Sequence, residues 1–248
     1  MTIEETRERW LAQEDLRALV SGLDLAAGRR LVSVVLYGSA ARREDWVPAT
    51  SDLNVLILLD AIDAEILEAI ARPISGFRSR GGAWPRILAP ELLHGSRDVF
   101  PIELLDISDF HVVLHGAGPG DLSKVDHEHL RMQCEREIRE KLMRLHEAYC
   151  EVHDRPDDLA RLIATAASTF AAIFRGFLRL RGGAVPDRNT DVFESFCAFA
   201  GLDPAPFRAA ERVRAGQAVP GDGRALFASL HSEILRALRA VDRFRTHD

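Results

Sequence analysis

The chain has 248 residues, 47% of them hydrophobic, enough to bury a sizeable core without disulfides or a structural metal. Its net charge of −6 gives no global attraction to nucleic acid or to an anionic membrane surface. Three cysteines, Cys134, Cys150 and Cys197, are odd in number and widely spaced, which matches neither a disulfide framework nor a zinc pattern, so they read as reduced core thiols of a cytoplasmic protein.

The first residues are acidic and amphipathic, without the basic-then-apolar order of an export signal, and no later stretch reads as apolar for long enough to cross a bilayer. Trp10, Leu11, Leu16, Leu19, Val20 and Leu23 recur at helical intervals, so one or two helices lead the chain. LVSVVLYGS, from Leu31, reads as a buried strand ending at a glycine turn. DLNVLILLD, from Asp52, reads as a second buried strand, and DAEILEAIARPI as a helix stopping before Pro73. SRGGAW, ending at Trp84, is a surface connection, and PRILA, FPIELLDI and HVVLHG read as further short strands. Strands interleaved with helices imply an α/β layer.

At GAGPGD, residues 116–121, the strand signal stops, which divides the chain into domains 1–118 and 119–248. Leu130, Cys134, Ile138, Leu142, Leu145 and Tyr149 then step at three and four residues, the mark of a long amphipathic helix. A second helix, from Leu159 through Phe170 and Phe177, is apolar over more than half its circumference and stops at Gly182. Shorter helices at 190–200 and 204–215 precede a last one carrying Leu226, Leu230, Ile234, Leu238 and Val241. The C-terminal half is therefore an all-helical bundle, and an apolar face left over after packing would serve a homodimer.

Asp52 and Asn54 stand at i and i+2, on one face of a strand, at the mouth of the buried run VLILL. A glycine at the end of the preceding strand lets backbone approach a phosphate, and the Ser39 hydroxyl and neighbouring amides donate to it. Carboxylates on the next strand would hold Mg²⁺. Gly38-Ser39, twelve residues, then Asp52-Leu53-Asn54, in a strand-turn-helix-strand context, resembles the signature of the nucleotidyltransferase superfamily, which includes DNA polymerase β and the aminoglycoside nucleotidyltransferases. The resemblance covers roughly residues 31–110 and implies an α/β (α+β) fold with a small mixed sheet, followed by a helical appendage.

It also implies that Gly38 and Ser39 hold the triphosphate of an NTP, that Asp52 and Glu103 hold Mg²⁺, and that a nucleoside monophosphate passes to a small-molecule or protein acceptor. Glu103, in FPIELLDI, matches a third carboxylate that the family carries on a later strand, with Arg86 or Arg97 as its other possible partner. Asp106 would face the opposite side of that strand. Asn54 stands where the family has its second metal-binding carboxylate. Its neutral amide is a weak Mg²⁺ ligand or a donor to phosphate, and it cannot bridge two cations. The alternative is a catalytically degenerate nucleotide-binding or interaction protein that keeps the fold.

The pairs His111/His115 and His127/His129 lack a third ligand at metal spacing and read as surface or capping residues. Arg139 with His146, and Arg224 with His231, match the Arg, four to six residues, His spacing of RNA-cutting helical domains. With 30 Arg and nine His, about three such matches arise by chance, so these carry no weight. Arg175, Arg179 and Arg181 lie along one side of an apolar helix and read as reaching outward to water.

Overall fold

The computed structural model describes residues 3–42, 53–182, 185–219 and 221–244. It contains two compact units: residues 1–98 with 103–125, and residues 99–102 with 126–248.

In the first unit, α1 (Ile3–Leu11) and α2 (Glu14–Ala27) precede β1 (Leu31–Tyr37), and a 3-10 turn (Gly38–Ala40) follows it. Then come β2 (Asn54–Leu59), α3 (Ala64–Ser79), β3 (Arg86–Leu88), α4 (Pro90–Gly95), α5 (Pro101–Asp109) and β4 (His111–Gly116). The sheet order is β3-β2-β1-β4, antiparallel except for the parallel β2–β3 pair, so the sheet is mixed. Val34, Leu36, Val55 and Ile57 pack on one face with Leu19 and Leu23 of α2 and Ile70 and Phe77 of α3. Val35, Leu56 and Leu58 pack on the other with Leu93 of α4, Leu104 and Ile107 of α5, and Leu122. Cover on both faces explains why β1 and β2 read as unbroken apolar runs rather than as alternating ones.

Two local readings of the sequence are corrected here. Helix α3 does not stop before Pro73 but runs through it. An internal proline costs a helix about 3 kcal/mol, whereas ending at residue 72 would forfeit the burial of Ile74 and Phe77, worth about 1.5–3 kcal/mol each. The ring also lies close against α2: a Cβ on Gly22 would sit 2.8 Å from Pro73 Cβ. The second correction is FPIELLDI, which is helix α5 rather than a strand. Pro101 occupies its first turn, and Leu104 and Ile107, three residues apart, share its buried side.

The second unit contains α6 (His127–Val152), α7 (Pro156–Leu180), α8 (Asn189–Ala200), α9 (Ala205–Arg214) and α10 (Gly223–Arg243). Asp126 starts it by capping α6, its carboxylate accepting from the backbone N–H groups of Glu128 at 2.8 Å and His129 at 3.2 Å. Phe174 of α7 stacks on Phe196 at 3.9 Å and meets Phe193 and Phe207 edge-on, forming the aromatic centre of the bundle. Contrary to the sequence reading, α7 is long and apolar enough to cross a membrane by length and composition. It is 67% buried over that stretch, because a helix apolar on most sides also serves as the centre of a bundle. The cysteines divide: Cys134 and Cys197 are buried, but Cys150 is exposed and is not a core thiol. Burial pushes the Cys197 thiol up to about 12, with the charges of Glu233 and Glu194 acting in the same direction.

Candidate functional site

The first unit brings its polar groups together where β1 ends. Gly38 has φ 75°, a conformation that costs side-chain-bearing residues strain, and the turn closes by hydrogen bonds from the N–H groups of Ala41 (3.1 Å) and Arg42 (3.3 Å) to the Gly38 carbonyl. Ser39, in that turn, is half-buried. Strand register places Asn54 directly opposite Tyr37. Its amide covers the glycine, since a Cβ on Gly38 would lie 2.9 Å from Asn54 Nδ2. Gly38, Ser39 and Asn54 therefore share one corner of the sheet. Asp52 lies outside the described residues.

Helix α5 supplies the acidic side. Asp106 accepts from Arg42 Nη1 at 2.9 and 3.2 Å, and the two side chains are only 18% and 8% exposed. Arg42 thus links the far side of the glycine turn to α5. Arg86, at the start of β3, donates from Nε to the Tyr37 hydroxyl at 3.1 Å. Burial raises the Tyr37 phenol above its usual value of 10.0, Arg86 opposes that rise, and the charges of Glu103 and Asp106 reinforce it. Both carboxylates consequently act on the same ring.

That arrangement revises the reading of the acids. Glu103 sits on a helix, and Asp106, which a strand would have turned away, lies one helical step along and acts on Tyr37 with it. The strand that follows β2 and pairs with it is β3, whose three residues include no carboxylate and begin with Arg86. Among the described residues, no group of three or more His, Cys, Asp or Glu is placed to hold a metal ion. With a neutral amide at 54 and a cation at 86, the described donor set does not fit a two-ion Mg²⁺ site. Tyr37 and Arg42 are site residues that sequence reasoning missed, and Arg86, named there only as a partner for Glu103, bonds instead to Tyr37. Only their partners, 49 and 64 residues away along the chain, mark them out.

The other candidates resolve into structural roles. His111 Nδ1 bonds to the Ile107 carbonyl at 2.8 Å, and His127 and His129 lie in the first turn of α6. Arg175 does not reach water: it is fully buried. Its Nε donates to the Pro186 carbonyl at 3.2 Å, and its Nη2 to the Asp187 carbonyl and Asn189 Oδ1, both at 2.8 Å. Asn189 passes the chain of bonds to Glu211 at 2.9 Å, and Glu211 pairs with Arg214 at 2.9 Å. A buried cation with these acceptors fastens the segment leading into α8. The Arg181 guanidinium lies 4.3 Å from the centre of the Phe199 ring.

His146 and His231 do meet, Nε2 to Nε2 at 2.8 Å, across α6 and α10. Those helices run antiparallel, so the two arginines diverge. Arg139 pairs with Asp242 at 2.7 Å on one side of the histidines, and Arg224 bonds to the His153 carbonyl at 3.1 Å on the other. The four groups do not converge.

No family model and no curated protein matches the chain. Among solved structures, spectinomycin adenyltransferase AAD(9) from Enterococcus faecialis, solved with ATP and spectinomycin, is similar over 93% of this chain and 99% of that one. The TM-score is 0.57 and the identity 14%. The chain has a nucleotidyltransferase fold. That fold accounts for the mixed sheet with a glycine turn at its corner and for the helices that follow. At this identity the likeness carries architecture, and the chemistry rests on the chain's own residues.

Proposed function

We propose that the protein binds a nucleoside triphosphate at the Gly38-Ser39 turn and transfers its nucleoside monophosphate to a hydroxyl of a small-molecule or protein acceptor. The observation that carries this reading is the turn itself. A left-handed glycine follows a buried strand, and among the described residues the nearest side-chain atoms above it are those of Asn54. A phosphate can approach such backbone closely, with the Ser39 hydroxyl and the turn amides as donors.

In the transfer, the acceptor oxygen bonds to the α-phosphorus, the bond to the bridging oxygen breaks, and pyrophosphate leaves. The hydroxyl proton passes to a carboxylate, for which Glu103 is our candidate. Asp52 is proposed to meet the Mg²⁺ that accompanies the triphosphate, and Asn54 to contribute its amide oxygen weakly or to donate to a phosphate. That AAD(9) was solved with ATP and spectinomycin supports a nucleotide donor and a small acceptor.

Asn54 favours a second reading, nucleotide binding without transfer. Calorimetry with ATP and Mg²⁺ on the wild type and on Asn54→Asp, together with chromatography of the nucleotide products, separates the two. Transfer by the wild type supports the enzyme, and transfer only after the substitution supports the degenerate site. Absence of nucleotide binding in both proteins removes the nucleotide reading altogether.

A further inference from the structure

We propose that Arg86 grips the triphosphate directly and takes the place of a second metal ion at this site, an inference that rests on the nucleotide reading above. β3 is the parallel neighbour of β2, with Arg86 beside Leu56. Side chains two apart on a strand share a face, so Arg86 projects with Leu88, Leu56 and Asn54 toward the side where Tyr37 and α5 lie. The Tyr37 hydroxyl takes the Nε–H and holds the stem of the arginine. Among the described residues, neither Nη group has a hydrogen-bond partner. Arg86 is exposed, and among the described residues no carboxylate lies within ion-pair distance of it. The neighbouring cation differs: Arg42 is buried and already neutralised by Asp106.

An oriented guanidinium whose Nη groups have no partner among the described residues, beside the proposed phosphate turn, matches two phosphate oxygens at once. The charges point the same way. The family pattern places a carboxylate at the position of Asn54 and another on a later strand. Here the first is a neutral amide, and the later strand beside β2 carries a cation. The amide makes the corner less negative by one charge and the cation by two, so both changes run in the direction in which a bound divalent ion would act. Asn54 then has a reason of its own. A carboxylate there, across from Tyr37, would compete with the nucleotide for the Arg86 fork, whereas an amide leaves that fork free.

The test is calorimetry of ATP binding in excess EDTA and in excess Mg²⁺, on the wild type, Arg86→Gln and Arg86→Lys. Arg86 is exposed, so melting curves of the variants should overlay the wild type and confirm that they fold. The wild type should bind ATP in EDTA within about tenfold of its affinity in Mg²⁺. Arg86→Gln should weaken binding in EDTA by about tenfold to a hundredfold, and by less in Mg²⁺, as expected for loss of a charge-assisted pair. Lysine should recover part of the loss, keeping the charge without the fork. Wild-type binding that Arg86→Gln leaves unchanged overturns the role of Arg86 and spares the nucleotide site; it would mean that the arginine only guards the exposed edge of β3. A wild type that binds no ATP overturns both.

Discussion

Substituting Gly38 by alanine tests the geometry of the corner from two directions at once. An L-residue held at φ 75° carries about 1–2 kcal/mol of backbone strain. The new methyl would sit 2.9 Å from Asn54 Nδ2, while Asn54 Cγ and Cβ stand at 3.8 and 3.9 Å, so only the amide end must move. Pushing it off its rotamer adds about 1 kcal/mol, for a total loss of about 2–3 kcal/mol. All three tryptophans, Trp10, Trp46 and Trp84, belong to residues 1–98, so fluorescence-detected urea unfolding follows the strand-containing unit alone. With a urea slope of about 2 kcal/mol per molar, the midpoint should fall by about 1–1.5 M. Combining Gly38→Ala with Asn54→Ala removes the crowding and leaves the strain, so the double variant should be more stable, by about 1 kcal/mol, than the sum of the single losses implies. An unmoved midpoint, or strict additivity, refutes the account.

Two further predictions concern other parts of the molecule. Asp106→Ala should cost about 3 kcal/mol in the same fluorescence assay, because it leaves Arg42, 8% exposed, without its carboxylate. The same substitution should move the ionisation of Tyr37, followed by ultraviolet titration, to lower pH, since it removes one of the negative charges that raise the phenol. In the helical unit, burial and then the charge of His146 hold the His231 imidazole below its usual 6.5. The unfolded chain therefore binds the extra proton first as the pH falls. This contribution to stability is complete above about pH 6.5 and declines below it, and His231→Gln should flatten that decline in thermal melts followed by circular dichroism.

The helical bundle was legible because each of its helices repeats one pattern for several turns. The three- and four-residue steps from Leu130 to Tyr149 and from Leu226 to Val241 admit no strand reading, and they lie inside α6 and α10. Short apolar runs carry less information. VLILL and IELLDI are comparably apolar, yet the first is the centre strand β2 and the second the helix α5. What separates them is long-range: β2 has a partner strand on each side, whereas Leu104 and Ile107 cover a face that β1 and β2 have already built. Pro73 misled for a related reason, since its local cost is outweighed by the burial of Ile74 and Phe77 within the next turn.

The candidate site divides along the same line. Gly38, Ser39 and Asn54 were legible because a strand end followed by glycine fixes backbone geometry locally, and strand register then sets Asn54 beside it. The roles of Arg42 and Arg86 were not, because nothing near them in sequence distinguishes one of 30 arginines from another, and that of Tyr37 depends on a partner 49 residues away. Their roles follow from what each meets. Arg42 meets a carboxylate and is spent in holding the turn to α5; Arg86 meets a neutral phenol, which orients it without cancelling its charge. Two cations of equal formal charge thus contribute unequally to the field at the corner, and a sum over the sequence counts them alike. The acidic balance of the whole chain, −6, therefore says little about the sign of the field at Gly38. What decides it is the local set: the neutral amide of Asn54, the Arg86 guanidinium held by a neutral phenol, and the Glu103 and Asp106 carboxylates that act on the same ring.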